Sequence, residues 1–206
     1  LIFNKLLNKG GHIIGKNSLT LTAHQAFESI IQDKKNPLLS SDGILTFTLP
    51  AGETPFDGNV KGKEIIVNGK SKFILRGVVE GTQKVDLVDL EEATLEAGSV
   101  VISPDWRSKA DILRVKGSLS GTKLAGKAHF YGNDIIVEQT AQTMFKDILH
   151  MEVSQKIDWD GRHAACQNLH AEAPDIHVKK GSRFQAAENL IIIASTQFQN
   201  EGVVRQ

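Results

Sequence analysis

The sequence predicts an all-β chain wound as a right-handed parallel β-helix of about eight or nine rungs, each of roughly 20–25 residues, in one domain over 1–206. Three observations lead there. Similar segments recur with a period of about 22 residues, residues alternate apolar and polar with a period of two inside each copy, and glycines interrupt the apolar runs every few positions. Helical repeats of the same length would instead show apolar spacings of three and four across ten or more residues. Strands this short are stable only when stacked, and each rung advances the axis by about 4.8 Å.

The clearest copies are 58–67, 128–137 and 162–171. Each places an apolar or small residue (Val60, Phe130, Ala164) two before a small one (Gly62, Gly132, Cys166) and ends on Ile65, Ile135 or Leu169. Looser copies run over 11–23 and 181–194, with Asn17 and Asn189 ahead of Leu19 and Leu190. The branched residues that open each strand are taken as Leu19, Ile44, Ile65, Val88, Ile112, Ile135, Leu169 and Leu190, with gaps of 25, 21, 23, 24, 23, 34 and 21. The gap of 34 holds one further strand-like run at 148–153 and another at 157–159, and leaves the register between 138 and 168 open. Asn17, Asn168 and Asn189 are expected at corners, where asparagine tolerates a left-handed backbone.

Two insertions are expected, at 24–43 and 49–58. Phe27, Ile30 and Ile31 stand at helical spacing before Asn36-Pro37, which predicts a short helix or loop near 24–36. Pro50, Gly52, Pro55 and Gly58 mark the second as a loop.

Over 10–23 and 181–195 the chain resembles the repeats of filamentous haemagglutinin-like exoproteins, and 58–69, 128–140 and 161–173 resemble them less closely. The resemblance implies a β-helical shaft, export by two-partner secretion, and a part in adhesion or in carrying a contact-dependent inhibition toxin. It places the chain in the secreted fraction or on the bacterial cell surface.

The 24 basic and 24 acidic side chains cancel, so no overall field draws the chain to nucleic acid or an anionic membrane. No apolar run is long enough to span a bilayer as a helix, and Leu1-Ile2-Phe3-Asn4-Lys5 lacks the plan of a signal peptide, as in an internal or mature segment. The single Cys166 permits no intrachain disulfide, and its small-residue position reads as buried.

Candidate chemistry is local. Asp158 and Asp160 near Arg162 and His163 invite comparison with polysaccharide-cleaving β-helices, although Asp-Gly more often marks a turn. His163, His170 and His177 are seven apart and, with His129 and His150, enrich the C-terminal half in histidine; that spacing alone does not converge them on a metal. Lys179, Lys180 and Arg183 form a basic turn, and Trp106 suits either sugar stacking or the core. Ile66, Ile136, Ile191 and Ile193 are expected to point outward and, if contiguous, to mark a docking strip. The reading assigns no catalytic, cofactor-binding or metal residue. Its partners are a receptor or glycan on a host or target cell and neighbouring domains of a longer chain. A carbohydrate-active β-helix would gather Asp, Arg and Trp in one groove, and a self-assembling one would stack its terminal rungs end to end.

Overall fold

The computed structural model describes residues 1–122, 125–163 and 166–206, with the side chain of His163 outside that description. Among the described residues there are twenty-one strands and no helix, and the strand ladders are parallel. The chain forms a β-solenoid with three faces. The first face stacks nine segments: 18–22, Ile44–Thr48, 64–68, 84–88, Asp105–Lys109, 127–132, 148–152, 168–173 and 189–194. The second face runs from 5–9 and 26–30 through Gly52–Phe56, Ser71–Leu75, Glu92–Leu95 and Ile112–Val115 to 134–137, 156–159, 175–178 and 197–200. The third runs from His12–Gly15 and Leu38–Ser41 to Gln142–Met144 and Arg162–His163, with 183–185 paired to Val203–Arg205 beyond it.

Successive inward positions of the first face are Leu19, Leu45, Ile65, Val85, Trp106, Ala128, Leu149, Leu169 and Leu190, at intervals of 26, 20, 20, 21, 22, 21, 20 and 21. This register corrects the one drawn from pattern. Ile44 and Val88 point outward, one residue before and three after the core positions of their rungs. Ile112 and Ile135 belong to the second face, so the gap of 34 mixes two faces and contains a complete rung through Leu149. All three faces carry the same alternation, which is why copies on different faces look alike.

The two insertions are also corrected. Residues 24–30 continue the strand Ser18–Ile30, with Phe27 and Ser29 inside and Glu28 outside, because the alternation is of period two. Only 31–37 leaves the ladder. There Gln32 and Lys35 form an antiparallel bridge around Asp33 and Lys34, both at positive φ, and this turn makes the first rung the longest. Within 24–43, Leu38–Ser41 is a strand of the third face. Within 49–58, Gly52–Phe56 is a strand that buries Thr54 and Phe56. Pro55 is tolerated because this strand meets the 26–30 segment only at Ser29 and Phe56, where no proline N–H is needed.

One apolar core runs from Leu19 to Ala186. Each fully buried large aliphatic contributes on the order of 1.5–3 kcal/mol. Aromatic side chains fill the wider rungs: Phe27 stacks on Phe56 at 6.1 Å, Trp106 meets Phe130 edge-on at 4.8 Å, and Trp159 meets Phe184 edge-on at 5.0 Å. The buried hydroxyls of Thr54, Ser71 and Ser182 bond across rungs: those of Thr54 and Ser71 meet at 2.8 Å, Ser71 donates to the Gly52 carbonyl at 3.0 Å, and Ser182 donates to the Trp159 carbonyl at 3.1 Å. Asn168 and Asn189 are not left-handed corners. They lie in register on strands, where the Asn189 amide donates to Asn168 Oδ1 at 2.6 Å.

Candidate functional site

The residues that a polysaccharide-cleaving groove would need are dispersed. Trp106 is 1% exposed and belongs to the core. Asp158 points out from the second face, where Lys179 Nζ holds it at 3.1 Å and His177 Nδ1 approaches to 3.9 Å. Asp160 sits at the bend that leaves this face, its amide bonded to the Val137 carbonyl at 2.7 Å, and Arg162 is exposed on the third face. The His163 ring lies outside the described residues.

Cys166 is buried, and its thiol donates to the Asn168 carbonyl at 3.4 Å. Its register partner is Ala186, whereas Gly62 pairs with Gly81 and Gly132 with Val153, so the three small residues do not share one column. Burial pushes the Cys166 thiol up to about 11, which keeps it protonated. In the basic turn, Lys179 is committed to Asp158, while Lys180 and Arg183 are exposed.

Ile66 and Ile136 are half-buried on different faces, so the four isoleucines do not form one strip. Ile191 and Ile193 are exposed on the last rung of the first face. Phe198, stacked on the inward Ile176, is 45% exposed on the same rung.

A different grouping appears on the first face. A step of seven residues does not bring His163, His170 and His177 together, but one turn of the coil does align histidines. His129, His150 and His170 occupy one outward column, in direct register. Their ring centroids are 5.8 and 4.6 Å apart, and the His150–His170 pair is stacked at 23°. Each of the upper two bonds a carboxylate two residues on, His150 to Glu152 at 3.4 Å and His170 to Glu172 at 3.2 Å. Neighbouring rings of a stack point the same way and do not converge. Among the described residues no group of three His, Cys, Asp or Glu side chains is placed to hold a metal ion.

At the lower end of this column a cleft of about 630 Å³ opens between Arg107, Lys109, His129 and Tyr131. Arg107 lies under His129 in register, and Lys109, two residues on from Arg107, lines the cleft with Tyr131. The His129 and Tyr131 rings are 6.5 Å apart and nearly parallel, at 10°, and His150 closes over both, 5.6 Å from Tyr131. Asp105 fixes the Arg107 guanidinium through Nη2 at 2.9 Å and Nε at 3.3 Å. Partial burial, and then the neighbouring His150, hold His129 below the usual imidazole value, so its neutral form prevails. The signal for this cluster lies in the near-equal spacing of His129, His150 and His170 along the chain, which becomes legible only once the turn length is known.

Among the described residues no helix is long and apolar enough to cross a membrane. In comparison with known proteins, no family model matches the chain, and no curated protein or solved structure matches it significantly.

Proposed function

We propose that this chain is a non-catalytic shaft or presentation segment of an exported bacterial adhesin or contact-dependent toxin-delivery protein of the filamentous haemagglutinin-like kind, displayed at the cell surface or secreted. One observation carries the reading. The interior is closed by a continuous apolar stack from Leu19 to Ala186, while Asp158, Asp160 and Arg162 are spread over two faces and the bend between them, and Trp106 is inside. A rod built this way separates and presents what lies at its ends and on its faces. The resemblance of 10–23 and 181–195 to exoprotein repeats supplies the export route.

The test has two arms. Antibody raised against the purified chain should label intact producing cells, and the chain should release no reducing ends or unsaturated uronides from a panel of bacterial and host polysaccharides. Labelling only after permeabilisation would remove the surface assignment. Polysaccharide cleavage that Asp158→Asn abolishes would replace the shaft with a carbohydrate-active enzyme.

A further inference from the structure

We propose that the cleft between Arg107, Lys109, His129 and Tyr131 binds an acidic sugar, a saccharide ring carrying a carboxylate. The inference rests on the presentation reading only in that the ligand is held and not transformed.

The rigid scaffold places the four side chains as a two-by-two block. Neighbours across the rungs are about 4.8 Å apart and neighbours along a strand about 7 Å, a footprint the size of one pyranose ring. Arg107 and Lys109 occupy the lower rung, and the parallel rings of His129 and Tyr131 occupy the upper one. The cations face a carboxylate, and the rings offer flat apolar surface to the C–H face of the sugar. The neutral imidazole of His129 adds a ring nitrogen that can exchange a hydrogen bond with a sugar hydroxyl.

The charge pattern selects this cleft over other cation-bearing surfaces. On the second face, past its first rung, the cations stand beside carboxylates: Lys72 lies in register between Glu53 and Glu92 and Lys156 between Asp134 and Asp175, while Arg114 meets Glu92 at 3.3 Å and Glu138 at 3.6 Å, and Lys116 meets Glu96 at 3.3 Å. On the first face Asp105 orients Arg107, but Lys109 has no ion-pair partner among the described residues. One carboxylate therefore completes the block. A phosphate backbone is disfavoured, because a dense polyanion laid along this face would also meet Asp105 and the Asp86 of the rung below. The ring column continues upward through His150 and His170, so a longer saccharide has a path along the rod.

The test is calorimetric titration of the purified chain with three oligosaccharides: a trigalacturonate, a sialylated lactose and a neutral maltotriose. Saturable binding of at least one acidic probe and none of the neutral one is expected, and the preference between the two acidic probes identifies the source of the carboxylate. Lys109→Gln and Tyr131→Leu should each weaken binding by about tenfold or more, as loss of a charge-assisted or stacking contact does. Tyr131→Phe should retain most of it, and Lys116→Gln on the second face should leave it unchanged. Thermal unfolding by circular dichroism verifies that each variant is folded. The proposal is overturned if neither acidic probe saturates, if folded Lys109→Gln and Tyr131→Leu bind like the parent chain, or if Lys116→Gln weakens binding as much as Lys109→Gln. Such a failure is separable from failure of the presentation reading, which surface labelling and polysaccharide cleavage decide.

Discussion

Trp159 shows how a single side chain closes a rung. It is fully buried, meets Phe184 edge-on, and donates its indole N–H to the Gly161 carbonyl at 3.0 Å, so it packs two faces and ties the bend between them. Trp159→Ala should cost about 3–5 kcal/mol, read as a lower urea midpoint with the slope unchanged. Gly43 acts through absence: a Cβ there would drive into the backbone carbonyl of Asn17 on the rung beneath. Gly43→Ala should therefore lower the thermal midpoint strongly, whereas Gly98→Ala, open to solvent but at positive φ, should cost only about 1 kcal/mol of backbone strain and lower the midpoint less. Cys166, buried and with its thiol held protonated, should remain unreactive toward Ellman's reagent in the folded chain at pH 8 and react fully in denaturant. Rapid native labelling would contradict this packing.

At the scale of the faces, outward side chains do different work on each side of the rod. The second face carries alternating charge up its columns, as in Glu53–Lys72–Glu92 and Asp134–Lys156–Asp175, with Arg114 reaching diagonally to Glu92 and Glu138, and a slip of one rung would oppose like charges. Its pairs are partly exposed, so their value lies more in register than in stability. The first face stacks rings instead. Because His129 is held below its ordinary value of 6.5, the unfolded chain carries the proton between the two values and the folded chain does not. Its contribution to stability is thus complete above 6.5 and is lost as the pH falls through the folded value. A series of urea midpoints from pH 7.5 to 5 should decline, and His129→Gln should make the decline shallower. A steeper decline in the variant would mean that folding favours the protonated His129 imidazole. The groups facing His129, namely His150, Asp105, Arg107 and Lys127, remain in that variant, so the comparison isolates the one imidazole.

For the whole molecule, each rung touches only its neighbours, so stability accumulates along one axis. Central rungs are held from both sides, while 197–206 has a neighbour on one side only, with Phe198 half-open. Hydrogen exchange should therefore be slowest through the core rungs around Val85 to Trp159 and fastest at both ends. Uniform protection along the chain would show that the terminal rungs are covered in solution by another copy, the end-to-end stacking expected of a self-assembling rod.

Much of this was legible from local pattern. Period-two alternation, the recurrence of similar segments and the glycines were enough to establish a parallel coil, because each can be read within or between short stretches of chain. The burial of Cys166 was legible for the same reason. Register was not. Ile135 and Ile65 look equivalent in sequence yet sit on different faces, since all three faces repeat the same inward and outward code and only backbone pairing between rungs distinguishes them. The stretch 24–30 reads as a short helix or loop and 52–56 as a loop because isolated spacing and proline outweigh context, whereas the open edge of a neighbouring rung draws both into strands. The Arg107, Lys109, His129 and Tyr131 cleft and the histidine column depend on side chains a full turn apart in the chain meeting across rungs. The chain therefore dictates the coil through local periodicity, and the stacking of its turns decides which side chains share a site.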